Sequence, residues 1–450
     1  MIALWTTPRT LASVAALCVG ALLGFSAAAA TPRTLDELTA AAVERSPIVR
    51  DRTAEVSIAK GRLTTASAWV PANPTLVYDS TSDRFHANQG EGGSSLSLEQ
   101  PVEIWGQRGA RVDEARALYV AAGLDLDFAR FDIAEVVKRD YLHVLVSNNR
   151  LRILGDLRIL AGRARESAAR KLAAGLVSAV NSQIATFEAL GLENDERSAI
   201  VERDAILAEL KQVTGFADLH AEDLTGRPVV ASWDASVDDL VERAIARRPD
   251  LAALRKQVEG REFAVSVLRR SRFPEVAFKV GYTRDRSVFA GDDVSYLAGS
   301  APSIARIADA DRFVTLGASI TLPVFRRNAG AIASALGEQD RATTILSAEE
   351  DRVRADVSRL VERIRGRFAV LNAMESALPG LEAGLEDVTR AYTLGEYAID
   401  RYLVEKDRLS RALLSHDDVL LDMLEAFVEL ERTVGETIYQ PEFAKIEVTP

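Results

Sequence analysis

Hydrophobic and polar residues follow two different periods along this chain. Four short stretches alternate at every second residue, as half-buried strands do; they read "TLVYD", "SLSLEQ", "EVAFKVGYT" and "FVTLGASITL". Elsewhere the pattern is helical over long runs, and no Pro stands between Pro101 and Pro228. The chain is therefore predicted to combine a few strands with helices of unusual length.

The pattern occurs twice, with a repeat of about two hundred residues. "LDELTAAAVERSPIV" from Leu35 matches "VDDLVERAIARRPDL" from Val237. Further landmarks follow in the same order in each half: Pro101 with Pro323, Gly109 with Gly330, Gly175 with Gly395, and Gly215 with Gly435. Because matching landmarks in one order are improbable by chance, we infer an internal duplication.

Each half is predicted to fold as helix, strand, strand, very long helix and helix. The predicted ranges are 35–70, 75–80, 94–100, 110–172 and 178–214 in the first half, and 237–270, 275–284, 312–322, 330–392 and 398–434 in the second. Pro379 predicts a kink in the second long helix. The segments 80–94 and 284–311 are polar and Gly-rich, and we expect them to be loops between strands.

The predicted lengths indicate how the elements assemble. A sixty-residue helix is about 90 Å long, and the two shorter helices of each half together approach that length. Stacked end to end, they would form a second column beside the long helix, giving four columns per chain. Four strands are too few to close a barrel, and an open sheet exposes its edges. Assembly with copies of the same chain solves both problems, since three chains would supply twelve strands.

The first thirty residues are predicted to be a cleaved signal peptide. Arg9 supplies a positive charge, an apolar run extends from Thr10, and three Ala residues precede Thr31 as a small-residue cleavage site. A retained membrane anchor is the alternative. Cys18, the only cysteine, would leave with the signal peptide. No later segment offers about 20 consecutive apolar residues, so entry into a membrane would require strands.

The predicted organisation has five parts. They are a signal peptide at 1–30, a first repeat at 31–215, a linker at 216–236, a second repeat at 237–435 and a tail at 436–450. We expect the linker and the tail to lie outside the duplicated pattern.

Composition argues against an enzyme or a nucleic-acid-binding protein. The net charge of -11 is spread without long acidic or basic runs, so no nucleic-acid partner is expected. The sequence has no Gly-rich phosphate loop, GxSxG or HExxH motif. Its four histidines lack ligand spacing. We therefore expect no catalytic residue, no cofactor and no metal-binding site.

After residue 30 the chain resembles the TolC-type outer membrane efflux channels, most nearly the heavy-metal cation efflux branch of the RND tripartite systems. The resemblance depends on "QPVEIWGQRGAR" and "LPVFRRNAGAIASA", on "AAGLVSAVN" and "YTLGEYAIDRYL", and on the duplication. It implies a mainly α fold with a membrane β-barrel, in which a homotrimer closes twelve strands in the outer membrane and long hairpins form a periplasmic α-barrel. The implied partners are outer membrane lipid, a periplasmic membrane-fusion adaptor and an inner-membrane RND transporter.

The resemblance also assigns roles to the junctions between strands and helices. Pro101 and Pro323 would end strands, because Pro cannot donate to a strand ladder. The glycines expected to let the backbone turn from barrel to tunnel are Gly106, Gly109 and Gly330. The aromatic residues Trp105 and Phe325 would lie at the periplasmic edge of the bilayer.

Gly175 and Gly395 are predicted to cap the long helices where the chain reverses. The resemblance implies that the surrounding residues form a rim that meets adaptor hairpins. This predicted rim contains Leu172, Gly175, Leu176, Val177, Ser178, Tyr392, Leu394, Gly395, Glu396 and Tyr397.

Channels of this family close near the tips, often with rings of acidic residues. The candidate gate residues are Asn181, Asp400, Arg401 and Glu405. In a trimer each acid that faces the lumen would form a ring that favours cations. The alternative is a solvated helix face with local ion pairs, such as Asp400 with Lys406 or Arg401 with Glu405.

The resulting functional prediction is a passive exit duct for heavy-metal cations or small toxic compounds, fed by an adaptor and a pump. A TolC-like channel for protein secretion remains a second reading. A soluble periplasmic scaffold of helical hairpins is a third, and it predicts no strands facing lipid.

Overall fold

The structure is a computed structural model that describes residues 33–86, 90–224, 226–229, 233–293, 303–325, 327–438 and 442–444. The predicted signal peptide at 1–30, with Cys18, lies outside the described residues. Nine helices and six strands are present in the described part of the chain. No helix among the described residues has the length and apolar character that crossing a membrane requires.

The first half contains helices α1 to α4 and strands β1 to β3. Their bounds are α1 Leu35–Arg45, α2 Pro47–Ala66, β1 Thr75–Ser82, β2 Gly92–Val102, α3 Gln107–Ala173, α4 Ala179–Thr214 and β3 Arg227–Val229, with a 3-10 turn at Ala221–Asp223. The second half contains α5 Val237–Arg247, α6 Pro249–Arg270, β4 Glu275–Asp293, β5 Ser303–Thr321, α7 Ala329–Glu375, α8 Leu378–Leu394, α9 Ile399–Val434 and β6 Glu442–Ala444.

The first helix of each half is broken, whereas a continuous helix was predicted over 35–70 and over 237–270. Ser46 separates α1 from α2, and Arg248 separates α5 from α6. Both residues precede a Pro and adopt ψ angles of 125° and 120°. The ring of a following Pro disfavours helical geometry at the preceding residue, so the break follows from the sequence itself.

The second long helix is also divided. Helix α7 ends at Glu375 and α8 begins at Leu378, with Pro379 in the first turn of α8. A Pro at that position needs no backbone N–H donor, which explains why the new helix can start there. The predicted kink at Pro379 is thus a break between two helices, and 330–392 is not one helix.

The expected stacking of short helices into columns is confirmed. Helices α2 and α4 both pack on α3, and α6 and α9 both pack on α7. The ends meet in an equivalent way in both halves. Arg45 Nη1 donates to Gly215 O at the end of α4 (2.6 Å), and Arg248 Nη1 donates to Thr433 O at the end of α9 (3.1 Å).

The core is distributed along the columns rather than gathered in one place. One buried cluster joins α3, α5, α7 and α9 and includes Leu240, Ile364 and Phe427. A second joins α1, α3 and α4 around Leu38 and Leu210, and two more lie nearer the hairpin tips. Each column therefore depends on its neighbours for burial of apolar surface.

Strands β1, β2, β4 and β5 form one antiparallel sheet in that order. The register pairs Tyr78 with Leu96, Leu96 with Tyr282, and Tyr282 with Val314. The predicted loop over 284–311 is wrong for most of its length, because β4 continues to Asp293 and β5 starts at Ser303. Backbone pairing between these strands persists through residues whose side chains do not favour strands.

A second, two-stranded sheet links the two regions outside the repeats. Strand β3 lies in the predicted linker and pairs antiparallel with β6 in the predicted tail, with Pro228 opposite Phe443. The linker is therefore not an unstructured connection. Through the pairing of β3 with β6, the linker is hydrogen-bonded to the segment that follows α9.

Candidate functional site

The junction between β2 and α3 turns at Gly106. This residue adopts φ 77°, a left-handed conformation that Gly accepts without strain. Arg270 Nη1 donates a hydrogen bond to Gly106 O, and a Cβ on Gly106 would lie 2.8 Å from the same nitrogen. The ring of Trp105 stacks on Phe273 at 5.3 Å and donates from Nε1 to Pro274 O at 2.8 Å. The two halves of the chain are thus joined at this turn.

Arginines at the start of α3 hold the end of α2. Arg108 donates to Ser67 O at 2.8 Å and to Ala68 O at 3.2 Å, and Arg111 donates to Ala66 O at 3.3 Å. Carbonyl groups at a helix C-terminus lack partners within the helix, so these side chains supply them. The arginines of the "QRGAR" motif therefore cap a neighbouring helix, a role that sequence reasoning did not assign.

In the second junction the left-handed residue is Asn328, with φ 53°, and its side chain donates to Ser271 O at 3.3 Å. Asn is one of the few residues other than Gly that tolerate this conformation. Gly109 and Gly330 lie inside α3 and α7 without positive φ angles, so the expectation that they turn the backbone is wrong. The residues with positive φ at the two junctions are Gly106 and Asn328. They were missed as an equivalent pair because Gly109 and Gly330 match in the sequence.

The remaining junction residues are placed as follows. Pro101 lies inside β2, paired with Ala277, and the strand ends one residue later. Pro323 follows the end of β5 by two residues. Phe325 is 98% exposed in the isolated chain. Such exposure is compatible with the predicted contact of its ring with the edge of the bilayer.

The two hairpin tips share one backbone motif. Gly175 has φ 71° and Gly395 has φ 91°. Leu176 N donates to Lys171 O at 2.8 Å and Gly175 N donates to Leu172 O at 2.9 Å. At the other tip Glu396 N donates to Ala391 O and Gly395 N donates to Tyr392 O. Both sets are the paired hydrogen bonds of a Schellman cap, which requires a left-handed residue.

The tips expose apolar side chains, with Leu176 74% and Leu394 70% exposed. Leu172, Ser178 and Glu396 are exposed, and Val177 and Tyr397 are half-buried. Tyr392 differs from the predicted rim because it is only 3% exposed. Its ring stacks on Tyr402 at 4.8 Å, where burial raises the pKa of Tyr402 to about 12. Tyr392 thus holds the tip together rather than presenting a contact surface.

Two lysines that sequence reasoning missed join the hairpins near the tips. Lys171 Nζ donates to Tyr392 O at 2.5 Å and lies 4.6 Å from the centre of its ring. Lys406 is buried on α9 and forms an ion pair with Glu188 on α4. A buried Lys is seldom tolerated without such a partner. Neither contact was predictable from local sequence spacing, because the two residues of each pair are more than two hundred positions apart.

The candidate gate residues are not gathered into one cluster. Asn181 is half-buried, and its backbone N donates to the Ser178 side chain that caps α4 (3.3 Å). Asp400 is exposed. Arg401 lies 4.1 Å from the centre of the Tyr397 ring, and Glu405 pairs with Arg408 at 3.5 Å.

The alternative predicted local ion pairs of Asp400 with Lys406 and of Arg401 with Glu405. In the structure Lys406 pairs with Glu188, and the Arg401 side chain stacks on Tyr397. Which of the four candidates faces the lumen depends on neighbouring chains. Their involvement in a gate remains a prediction.

A buried polar cluster lies between α3 and α9. Glu135, Lys138 and Glu431 are all at least nine-tenths buried, and Lys138 donates to Glu431. Glu431 Oε1 also accepts from Ile438 N at 2.8 Å. Burial, followed by the charge of Glu431, raises the pKa of Glu135 to about 8, which favours the protonated form of this carboxyl.

The four-stranded sheet has two chemically distinct faces. Paired residues in this register share a face, and the even-numbered residues share one of them. That face carries the exposed apolar side chains Leu76, Tyr78, Leu96, Leu98, Phe278, Val280, Tyr282, Val314, Leu316 and Ile320. A water-soluble monomer rarely exposes an apolar surface of this extent.

The odd-numbered face is polar and acidic. Among strand residues whose side chains are described, it carries six acids and one lysine: Asp79, Glu99, Glu275, Asp285, Asp309, Asp311 and Lys279. Asp285 and Asp311 are direct cross-strand partners. Like charges opposite each other destabilise a sheet unless water or counter-ions screen them. This face is therefore suited to an aqueous space that holds cations.

Comparisons with known proteins agree with this architecture. The family model for outer membrane efflux proteins matches residues 40–215 and 240–436. The cobalt-zinc-cadmium resistance protein CzcC of Cupriavidus metallidurans is 23% identical over 344 residues, which cover 76% of this chain and 77% of CzcC.

Solved structures show the same fold. The outer membrane protein VceC of Vibrio cholerae has a TM-score of 0.70 at 18% identity, covering 90% of this chain and 97% of VceC. The structure of CusC has a TM-score of 0.67 at 15% identity, covering 89% of this chain and 92% of CusC. With both halves matched by one family model and the TolC-type fold reproduced, this chain belongs to the outer membrane efflux protein family.

Proposed function

We propose that the protein is the outer membrane exit duct of a tripartite efflux system and conducts heavy-metal cations. The observation on which this rests most directly is the division of the sheet into an apolar even face and an acidic odd face. In a closed barrel the apolar face contacts lipid and the acidic face lines the lumen. A lumen lined with carboxylates concentrates cations and repels anions.

The working form is a homotrimer. The edges of the sheet, β1 and β5, lack strand partners within the described chain. Unpaired edges are not tolerated in lipid, so three copies joined β5 to β1 would close twelve strands. The helical layer also has two outer columns, α4 on one side and α7 with α8 on the other. In a trimer these columns would contact the neighbouring copies.

The exposed leucines at the tips are the docking surface for a periplasmic membrane-fusion adaptor, which in turn contacts an inner-membrane RND transporter. Leu176 directly follows Gly175 and Leu394 directly precedes Gly395, so each tip presents an exposed leucine beside the glycine of its Schellman cap. A trimer would present six such tips in a ring. Helical partners recognise exposed apolar residues of this kind.

Two observations support metal cations as the transported substrate. The name of CzcC specifies resistance to cobalt, zinc and cadmium. The acidic strand face is a property of this chain itself. No cluster of three or more His, Cys, Asp or Glu side chains suited to hold a metal occurs among the described residues, and a passive duct needs weak contacts that release what they bind.

The proposal is tested by deletion and complementation. A strain without this gene should become sensitive to Co²⁺, Zn²⁺ or Cd²⁺, and the intact gene should restore growth. The protein should fractionate with the outer membrane and migrate as a trimer in gels until it is boiled. A deletion strain with unchanged metal tolerance but impaired export of a secreted protein would favour the protein-secretion reading instead.

A further inference from the structure

Three arginines lie together on the apolar face of the sheet, beyond the row that contains Tyr78 and Tyr282. Arg284 and Arg312 are direct cross-strand partners on β4 and β5. Arg286 lies two residues further along β4 and therefore on the same face. All three side chains are exposed. They are the only charged groups on the even-numbered face among the strand side chains that the structure describes.

The acids beside these arginines in the sequence, Asp285 and Asp311, lie on the opposite face. Asp285 separates Arg284 from Arg286, and Asp311 precedes Arg312, so each of these acids lies on the odd face. The row that contains Arg284 and Arg312 continues through Ser94 and Ser80, which are polar but uncharged. Among the strand side chains that the structure describes, no carboxylate on this face lies beside the arginines.

At the edge of the lipid, where water screens the two charges less well, such a pair favours a bound anion. Directly opposed residues in an antiparallel pair have Cβ atoms about 5 Å apart, and like charges there are unfavourable. A phosphate group between two guanidinium groups removes the repulsion and accepts paired hydrogen bonds from each.

The depth of the cluster identifies the source of the phosphate. The apolar rows of the even face extend from Val276 to Tyr282, which is about 20 Å along the strand. Arg284 follows Tyr282 by one two-residue step, about 7 Å further from the helices. Tyrosine marks the border between hydrocarbon and headgroups. Since the helices leave from the opposite end of the sheet, this border is the outer leaflet.

We propose that Arg284, Arg286 and Arg312 form a binding site for the phosphate groups of the phosphorylated glycolipid of the outer leaflet. The site goes beyond conduction, because it concerns the outside of the barrel rather than its lumen. It rests on the proposed function only in requiring that the apolar face be inserted in the outer membrane. Three copies per trimer would anchor the upper rim of the barrel at a fixed depth.

The test uses the purified full-length trimer in detergent, with lipid A carrying two phosphates, the same lipid A after removal of both phosphates, and inorganic phosphate as probes. Bound lipid is counted by native mass spectrometry, and thermal stability is measured in parallel. The parent protein should bind the phosphorylated lipid at least about tenfold more tightly than the dephosphorylated lipid. The preference should weaken as salt is raised.

The central variant is Arg284→Gln combined with Arg312→Gln, which keeps side-chain length and removes both charges. It should lose the preference for phosphorylated lipid A while binding the dephosphorylated lipid like the parent. The matched control is Lys279→Gln, which removes a positive charge from the opposite face of the same strand and should retain the preference. A double Arg→Lys variant should retain part of it, because Lys contacts phosphate without the guanidinium fork.

Three results would overturn the site: equal binding of both lipids by the parent, an unchanged preference in the double Gln variant, or the full thermal shift from inorganic phosphate alone. If the double Gln variant fails to form trimers, the parent and Lys279→Gln still decide the question through the two lipids. Conductance of the same parent preparation separates the claims. A conducting trimer without lipid preference removes only the arginine site, whereas a chain that neither trimerises nor conducts removes the proposed function and the site with it.

Discussion

Lys171 on α3 and Tyr392 on α8 are joined at the hairpin tips by two contacts at once. The ammonium group donates to the Tyr392 carbonyl at 2.5 Å and lies 4.6 Å from the centre of the aromatic ring. That carbonyl also accepts from Gly395 N in the Schellman cap. One side chain from the first repeat thus supports the turn of the second.

Replacing Lys171 with Met should loosen the second tip while keeping the trimer. The change removes a hydrogen bond and a cation–π contact at a half-buried site, which together are worth about 1 kcal/mol. Hydrogen exchange of the amides in 385–396 should become faster, and the exposed Arg165→Met on the same helix should leave it unchanged. Unaltered exchange in Lys171→Met would show that the tip does not depend on this contact.

Gly395 should tolerate only residues that accept a left-handed backbone. With φ at 91°, Gly395→Leu carries a backbone penalty of about 1–2 kcal/mol and distorts the cap, although only Lys171 Nζ lies near the added Cβ. We expect trimers to remain intact and efflux to be lost, while Gly395→Asn retains most efflux. The readouts are metal tolerance of complemented cells and unboiled gel migration. Loss of the trimer in Gly395→Leu would instead give this Gly an assembly role.

The buried cluster of Glu135, Lys138 and Glu431 should make stability depend on pH. The folded-state pKa of Glu135, about 8, lies above the ordinary value of 4.5, so folding requires a bound proton between these values. Its contribution is fully present below pH 4.5 and declines as pH rises towards 8, by at most roughly 5 kcal/mol. Glu135→Gln should therefore be more heat-stable than the parent at pH 8 and similar near pH 4.5.

Thermal unfolding of both trimers from pH 4.5 to 8.5 measures this difference. Exposed Glu44→Gln serves as the control and should follow the parent at every pH. A constant difference between Glu135→Gln and the parent across the range would mean that Glu135 is ionised in the folded protein.

The acids on the odd face should set ion preference at the outer part of the lumen. Asp285 and Asp311 are direct partners, and a trimer would contain three such pairs. Replacing both with Asn should lower the ratio of cation to anion permeability severalfold without reducing trimer formation. The control is Glu44→Gln combined with Asp51→Asn, two exposed acids on α1 and α2. An unchanged ratio would place selectivity elsewhere in the duct.

The sequence predicted the order of the elements well because strong signals mark them. Alternation identified the four long strands, and Gly175 and Gly395 marked the tips where each long helix ends. The breaks at Ser46 and Arg248 were missed although each of these residues precedes a Pro, because helical periodicity on both sides predicted one continuous helix. Local signals therefore identified the main elements but not these two boundaries.

Contacts between distant segments were not predictable in the same way. The pair Lys406 with Glu188 joins helices from different repeats. The register that opposes Arg284 to Arg312 is a property of the paired strands β4 and β5, which the residues of either strand alone do not determine. Their strand pairing is decided by backbone hydrogen bonds rather than by side-chain preference. The separation of acids and arginines onto opposite faces follows from that register.

Single-channel recording from the purified trimer in a planar bilayer would show whether this chain forms a cation-conducting pore. Under a KCl gradient, we expect stable unitary conductance and a reversal potential displaced towards the equilibrium potential of K⁺. A reversal potential displaced towards that of Cl⁻, or no conductance from a trimer that inserts in the bilayer, would contradict it.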